Sequence, residues 1–362
     1  LFTVILKIIT LPLDFWQRFS MKKNAKMMSE LAPIMAKLDK AYANDKNKLN
    51  QEKQKLYKKH GYNMLSGCLP MIVTMTIFFV MFGGLNQCSA YVNLKVYSEL
   101  SVHYTDTLSA ELSKHTEEYE SRRYDILLSG KSTAIEDYKT WLGGQGVEES
   151  AFDAEISAAT SRISQIKAEA QAEARKAVGE FYLEAKEGFL WITNISRPDT
   201  WVESFPETAE KFTGTLTKKY REYKDEFDSE LYGEIYKGIS EQGVGYKVGD
   251  KHWNGLMILP VLSIALSFLS TFISNKTSKK KNGEEQQLDP NAAAAQSSNK
   301  VMMFVMPVIM GVFGFVYTAT FALYMVCSSL LSILFTLAMN PIIDRRIAKI
   351  ESKVEKPDYR RK

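Results

Sequence analysis

The sequence has little of what metal sites, disulfide frameworks and nucleotide-driven machines require. It contains 3 cysteines and 4 histidines among 362 residues. Cys68, Cys88 and Cys327 have neither the paired spacing of a metal site nor the pattern of a disulfide framework. The chain also lacks a glycine-rich phosphate-binding loop with a GKS or GKT ending, which excludes P-loop nucleotide hydrolysis as its source of energy. We therefore expect no cofactor, no metal, no catalytic residues and no enzymatic activity.

Charge is missing from three long stretches of the chain, and this absence predicts membrane spans. The stretches are Met64–Leu85, Gly255–Ser274 and Val301–Ile343. A bilayer core about 30 Å thick needs about 20 apolar residues in a helix that rises about 1.5 Å per residue. The third stretch has 43 residues, so it should fold back as a hairpin of two spans. The opening run Leu1–Leu13, in which Lys7 is the one charge, brings the predicted number of spans to five.

The charge of the connecting segments predicts their orientation. Basic residues outnumber acidic ones by 12 to 4 in Arg18–Asn63, by 5 to 3 in Asn275–Lys300 and by 8 to 4 in Asp344–Lys362. In Gln87–Asn254 acidic residues outnumber basic ones by 30 to 20. By the positive-inside rule, we expect the three basic segments in the cytoplasm and the acidic segment on the other side of the membrane.

These patterns predict an all-α polytopic membrane protein with a five-helix transmembrane core, a cytoplasmic helical hairpin and a helical extracytoplasmic insertion. Because the opening run is short and does not begin with Met, we also expect that further chain precedes Leu1. The predicted segments are a first span at 1–16, a basic cytoplasmic helical hairpin at 17–63, a second span at 64–86, the extracytoplasmic insertion at 87–253, a third span at 254–274, a cytoplasmic linker at 275–300, the fourth and fifth spans at 301–343, and a basic cytoplasmic tail at 344–362.

Apolar residues recur at three- and four-residue steps in the basic hairpin and in the insertion, which predicts helices. The hairpin should turn at Ala43–Asp45. The insertion should contain a coiled-coil-like antiparallel pair with a turn near Gly143–Gly146, followed by a third helix over Glu207–Ile239. The apolar stripes are Met28, Leu31, Met35, Leu38 and Tyr42; Tyr91, Leu94, Tyr97, Leu100, Tyr104, Leu108, Leu112, His115 and Tyr119; and Phe152, Ile156, Ala159, Ile163, Ile166, Ala170, Ala174, Val178 and Phe181.

Lys7 is the candidate functional residue of the opening run. An ionisable side chain inside a membrane-spanning helix is costly and commonly marks a functional site. The alternative is that Lys7 snorkels, its flexible stem carrying the ammonium to the lipid headgroups. Asp14 lies seven residues further on and should share its helix face. We expect Asp14 at the interface, at the cytoplasmic mouth, rather than as a buried partner of Lys7.

Short motifs follow one another in a distinctive order. They are Leu11-Pro12-Leu13, Leu56-Tyr57-Lys58-Lys59-His60-Gly61, Gly67-Cys68-Leu69-Pro70-Met71, Ile77-Phe78-Phe79, Leu190-Trp191-Ile192, Ser196-Arg197-Pro198-Asp199, Met306-Pro307 and Leu323-Tyr324. This ordered set resembles the YidC-type membrane protein insertases of the oxidase-assembly family. The resemblance covers Leu1–Gln87, Gly188–Trp201 and Gly255–Ile343.

The resemblance implies an insertase and chaperone for newly made membrane proteins in the plasma membrane of a bacterium. It implies a hydrophilic groove, open to the cytoplasm and the lipid but closed from outside, in which Lys7 stands where the family usually has Arg. The implied partners are nascent membrane proteins and the bilayer, with no specific nucleic acid and no small-molecule substrate. The ribosome and the Sec translocon stay open as further partners. Nothing transfers from the family to the outer insertion, roughly Ser89–Glu187 with Glu203–His252.

The same resemblance implies a groove wall and an exit path for the new helix. The groove-wall candidates carry hydroxyl groups and are Thr3, Thr10, Thr74, Ser328 and Ser329. The alternative for each is a hydrogen bond back to a carbonyl of its own helix. The exit-path candidates are flexible thioethers that suit varied apolar partners, Met71, Met75, Met306 and Met310. The alternative for these methionines is ordinary packing.

Two other functions stay open from the sequence. A transporter or channel could use Lys7 as an intramembrane binding site, but such proteins usually have repeated halves or broken helices, and the sequence shows no internal repeat. A membrane anchor that displays the insertion would leave the basic hairpin dispensable.

Overall fold

The computed structural model describes residues 2–60, 65–279, 305, 308–309 and 311–351, which are predominantly helical. The chain divides into two compact units. The terminal unit comprises Leu1–Asn86 and Met257–Lys362, and the inserted unit comprises Gln87–Leu256.

The terminal unit is built from long helices. Helix α1 runs without a break from the apolar opening run into the first arm of the basic hairpin. The helices that contribute to this unit are α1 (Phe2–Ala41), α2 (Lys46–Lys59), α3 (Leu65–Ser113, which extends into the inserted unit), α10 (Ile258–Lys279), α11 (residues 311–316) and α12 (Ala319–Glu351).

The turn predicted at Ala43–Asp45 is confirmed. The chain leaves α1 at Ala41, and the Asp45 carboxylate caps α2 by accepting a hydrogen bond of 3.0 Å from the backbone N–H of Lys48. Across the hairpin, Asp39 and the buried Lys53 form an ion pair of 2.7 Å. The ammonium of Lys53 therefore joins the two arms instead of facing solvent.

The long apolar stretch reverses direction at Tyr317 and Thr318. In α11, Gly311 approaches Ile264 of α10 and Gly314 approaches Pro260, so α11 runs antiparallel to α10. The chain reverses just after Gly314, which approaches Pro260, and Ser329 of α12 then lies beside Ser267, so α12 advances in the same direction as α10. A reversal of this kind is what a hairpin of two spans requires.

Two helices of the described chain are long and apolar enough to cross a membrane, Ile72–Ser113 and Ala319–Ile350. A shorter apolar helix covers Ile258–Ile273. Most of the region predicted as the fourth span, before Gly311, lies outside the described residues.

The inserted unit combines the end of α3 with shorter helices and a small sheet. Strands β1 and β2 are antiparallel, with Tyr246 opposite Trp253. The remaining elements are α4 (Thr116–Ser121), α5 (Tyr124–Leu128), α6 (Ala134–Gly144), a 3₁₀ turn (Glu149–Ala151), α7 (Phe152–Ala185), α8 (Ala209–Gly214), a 3₁₀ turn (Arg221–Glu226), α9 (Ser229–Glu241), β1 (Tyr246–Val248) and β2 (Lys251–Trp253).

The predicted stripe on α7 is confirmed, because Ala159, Ile163, Ile166, Ala170, Ala174 and Val178 are all buried. The stripe on α3 is correct for Tyr97, Leu100 and Tyr104, which are buried. It is wrong at its two ends. Tyr91 is 54% exposed, and α3 ends at Ser113 instead of continuing toward Tyr119.

The prediction of one helix over Glu207–Ile239 is wrong. The chain forms α8, a 3₁₀ turn and α9 there. The Asp228 carboxylate accepts hydrogen bonds from the backbone N–H groups of Glu230 and Leu231, at 2.8 and 3.1 Å, and so starts a new helix. The sheet was also unpredicted, and its tight turn uses Gly249 at a φ of 63°.

Helices α7 and α9 cross at two glycines. A Cβ atom on Gly238 would overlap the carbonyl group of Arg175, and one on Gly179 would overlap Gly238. Beside the crossing, Arg175 and Glu234 form an ion pair of 2.7 Å. Burial raises the pKa of Glu234, hydrogen bonds from Lys237 and Arg175 lower it, and the net shift is downward. The two backbones can approach this closely because both positions lack side chains.

We expect Gly238→Ala to destabilise the protein by about 1–3 kcal/mol, the usual cost of overpacking a tight contact. Gly233→Ala is the matched control in the same helix, because a Cβ atom on Gly233 meets nothing within 4 Å. That change should stabilise the protein by roughly 0.5–1 kcal/mol through helix propensity. Thermal unfolding of the full chain in detergent, followed by circular dichroism, measures both. Equal melting temperatures for the two variants would contradict the described crossing.

Candidate functional site

The N-terminal part of α1 has one polar face and one apolar face. Thr3, Lys7 and Thr10 are separated by helical steps, and their side chains are buried or half-buried. Ile8 and Ile9, on the other side of the helix, are more than half exposed. The polar side chains therefore turn toward the protein, and apolar side chains face outward.

Lys7 forms an ion pair with Asp14. Its Nζ lies 3.7 Å from Oδ2 of Asp14, and the two side chains are 16% and 22% exposed. The two Cα atoms are about 10 Å apart along the axis, at about 1.5 Å per residue, so the stem of Lys7 must extend along the helix toward Asp14. Asp14 is therefore a partner of Lys7, contrary to our expectation, while its position at the membrane interface stays a prediction. The interaction is within one helix, and both groups keep some access to their surroundings.

Arg18 extends this charged face by one turn. The positive charge of Arg18 repels that of Lys7, and the carboxylate of Asp14 attracts both cations. The cluster of Lys7, Asp14 and Arg18 thus contains two cations and one anion, with a net charge of +1. Sequence reasoning did not include Arg18, although its position four residues after Asp14 would have indicated it.

The threonine candidates occupy different positions. Thr10 is buried, and its hydroxyl donates to the carbonyl of Lys7 at 3.3 Å, which is the alternative of bonding back to its own helix. Thr3 is half-buried on the face of Lys7, and Thr74 is half-buried on α3.

The two serine candidates on α12 face different neighbours. Ser328 is hydrogen-bonded to Tyr324, whose hydroxyl lies within electrostatic range of Asp14. Ser329 is buried, and its Oγ lies 3.2 Å from Oγ of Ser267 on α10. Ser328 therefore belongs to the side of α12 near the charged cluster, whereas Ser329 belongs to the contact between α10 and α12.

Of the methionine candidates, Met75 is half-buried on α3. Met306 and Met310 lie outside the residues that the structure describes, as does the side chain of Met71, whose backbone belongs to α3.

Two contacts fix α1 to the C-terminal half of α12. Lys22 Nζ and Asp344 Oδ1 are 3.0 Å apart. The guanidinium of Arg346 lies 6.0 Å from the ring centroids of both Phe15 and Phe19. These pairs are separated by more than 300 residues in the sequence, so no local pattern could have predicted them.

An aromatic cluster packs α3 against the start of α12. The Phe82 ring lies 4.5 Å from Tyr317 and 5.2 Å from Phe321, and Phe78 lies 6.1 Å from Phe321. Phe321 and Asp344 are about 35 Å apart along α12. The aromatic cluster and the Lys22–Asp344 pair therefore stand at opposite ends of this helix.

A family model described as the 60Kd inner membrane protein matches residues 1–128 and 176–346. The chain belongs to this family. The match omits residues 129–175, which contain α6 and most of α7 up to Arg175. Three buried residues of that stretch, Tyr138, Leu142 and Ile163, form a separate small core with Tyr124.

Several curated relatives of the chain carry the name membrane protein insertase YidC. The one from Fusobacterium nucleatum is 44% identical over 85 residues, which are 24% of this chain and 40% of that protein. The one from Clostridium perfringens is 42% identical over 82 residues, 23% of this chain and 33% of that protein. The one from Helicobacter pylori is 42% identical over 82 residues, 23% of this chain and 14% of that protein. The resemblance to the YidC-type insertases is confirmed.

The match thus spans less than half the length of these relatives. No solved structure matches the chain.

We expect a cysteine pair at positions 267 and 329 to form a disulfide on mild oxidation, because the two Oγ atoms already face each other at 3.2 Å. The matched control pairs Ser267→Cys with Ser328→Cys, which should stay reduced. Both pairs are tested after the native cysteines are replaced by serine, with a protease site in the linker 275–300. Fragments that remain joined until reduction report the disulfide. Equal crosslinking of the two pairs would contradict the orientation of Ser329.

Proposed function

We propose that the protein is a membrane protein insertase whose substrate-binding groove carries Lys7. The observation that supports this most directly is a cation on the inward polar face of an apolar helix, partnered by Asp14 yet partly accessible. The proposed groove is open to the cytoplasm and the lipid. Its wall includes Thr3, Thr10, Thr74 and Ser328, whereas Ser329, which packs against Ser267 of α10, is not part of it.

The physical problem is the transfer of polar flanks of a new helix through hydrocarbon. An unpaired backbone or charged group there costs several kcal/mol. A hydrated groove that reaches partway through the bilayer shortens the apolar path. The net positive charge of Lys7, Asp14 and Arg18 attracts acidic residues of the entering segment and so lowers their cost of desolvation.

Asp14 holds Lys7 in place without saturating it. Their separation of 3.7 Å exceeds the 2.7–2.9 Å of a typical charge-assisted hydrogen bond. The ammonium has three N–H donors, so a client carboxylate can bind while Asp14 stays nearby. Asp14 then acts as a competing anion that keeps the groove from binding acidic clients too tightly.

The two ends of α12 suggest how the groove is bounded. The aromatic cluster of Phe78, Phe82, Tyr317 and Phe321 provides an apolar closure at one end. The charged contacts of Lys22 with Asp344 lie at the other, cytoplasmic end. The new helix leaves sideways along apolar surface that includes Met71, Met75, Met306 and Met310.

The same proposal assigns the topology and the partners. The chain crosses the plasma membrane of a bacterium five times, with the basic segments in the cytoplasm and the inserted unit outside. Clients are nascent membrane proteins, and the energy comes from burial of their apolar segments in lipid.

We expect Lys7→Ala to slow the insertion of clients with acidic outer tails by about tenfold, which corresponds to about 1.4 kcal/mol of barrier. Lys7→Arg keeps the charge and should insert them at nearly the rate of the parent. The measurement is protease protection of such a client in vesicles that contain the purified protein. A client with a neutral tail is the control. Normal insertion of the acidic client by the Ala variant would refute the role of Lys7.

Asp14→Asn should speed the insertion of acidic clients severalfold, because it removes the anion that competes for Lys7 with little change in shape. The neutral client should be unaffected in the same vesicle assay. If Asp14→Asn slows both clients equally, Asp14 is a structural partner of Lys7 and does not compete with the client.

A further inference from the structure

A strained turn in the inserted unit exposes a large apolar side chain. Phe189 and Ile192 exchange two backbone hydrogen bonds of 2.9 Å, which leaves Leu190 and Trp191 at the tip of a two-residue turn. Leu190 has a φ of 52° and is 77% exposed, more than any other large apolar side chain among the described residues.

Leucine at position 190 does not suit the positive φ of this turn. A positive φ causes no steric strain in glycine and little in asparagine or aspartate. Two-residue turns therefore use these residues most often. Leucine is strained in this region, and it gains nothing from contact with water. Within the inserted unit Leu190 is thus mostly exposed in a backbone conformation that disfavours leucine.

The turn is firmly attached to the segment that leads into α10. The N–H of Thr193 donates to the carbonyl of Asn254 at 2.9 Å, and the N–H of Asn194 donates to Oδ1 of Asn254 at 2.8 Å. The indole N–H of Trp191 donates to Asp199 at 3.2 Å. These bonds hold the tip rigidly to the neighbouring backbone.

Two further apolar side chains are exposed on the same body. The N–H of Gly255 donates to the carbonyl of Thr200 at 3.2 Å, so the chain segments around Trp201 and Leu256 lie side by side. Trp201 is 57% exposed and Leu256 is 43% exposed. We call Leu190, Trp201 and Leu256 the apolar tip.

We propose that the apolar tip inserts into the interface of the bilayer, where acyl chains meet headgroups. Leu256 lies two residues before Ile258, the start of apolar α10, and two residues reach at most about 7 Å. Leu256 must therefore lie close to the membrane in which α10 is proposed to be the third span, so this step rests on the proposed topology. Tryptophan is the residue most typical of this interface.

The test places a nitroxide on single cysteines in the full chain, with Cys68, Cys88 and Cys327 replaced by serine. The labelled positions are Leu190, Leu128 and Leu269. Leu128 is the matched control, a leucine of the inserted unit that is 55% exposed on α5. Leu269 reports on α10 itself. The protein is reconstituted in vesicles of phosphatidylcholine and phosphatidylglycerol, and collision rates with oxygen and with a water-soluble nickel complex are measured.

At position 190 we expect a ratio of oxygen to nickel collisions severalfold above that at position 128 and below that at position 269. If the collision ratio at position 190 equals that at position 128 while the ratio at 269 is lipid-like, the apolar tip does not insert, and the proposed third span is still supported. If position 269 also matches 128, the proposed span fails, and the inference fails with it. Spin–spin broadening at position 190 that grows with protein density would show that a second copy covers the tip, which would also overturn the proposal.

A second probe guards against misfolding at the turn. The same label on Trp201→Cys should give the same lipid-like ratio as position 190. The melting temperature of each labelled variant in detergent should match that of the unlabelled parent. A lipid-like ratio at 190 with a water-like ratio at 201, in folded protein, would overturn the assignment of Trp201 to the tip.

Discussion

A cation on a helix with apolar faces must be compensated by the protein, because hydrocarbon offers it neither water nor hydrogen bonds. In the terminal unit this constraint is met along α1. Lys7 extends toward Asp14, Asp14 lies between two cations, and the polar face is directed toward α12. The contacts of α1 with α12 at Lys22 and Asp344 then fix the orientation of that face. Snorkelling and the proposed role of Lys7 are compatible, since one extended side chain could serve both.

The features that could be predicted from the sequence are those that depend on local periodicity. The turn after Ala41, the buried stripe of α7 and the helical character of the chain all follow from apolar spacing and from breaks in it. The shared face of Lys7 and Thr10 follows from helix geometry alone. Family membership could be recognised because short motifs keep their order across an insertion.

The features that could not be predicted depend on contacts between distant segments or on competing local hydrogen bonds. The pairing of Ser329 with Ser267, rather than with the charged cluster, depends on how α10 meets α12. The break before α9 depends on a single capping carboxylate, Asp228, whose effect outweighs the helical pattern around it. In the sequence, the crossing at Gly179 and Gly238 is visible only as two glycines within segments predicted to be helical.

The bond from Thr10 to the carbonyl of Lys7 determines which hydrogen-bonding groups the polar face of α1 still offers. The hydroxyl proton of Thr10 is already used, while its oxygen still has a free lone pair. The polar face of α1 therefore offers an acceptor at Thr10, while the ammonium of Lys7 offers donors nearer to Asp14. The leading end of a helix that enters N-terminus first carries unpaired N–H groups, whereas its trailing end carries unpaired carbonyls. In the proposed groove, unpaired N–H groups of a helix end would therefore pair at Thr10 and unpaired carbonyls at Lys7, at two different positions along α1.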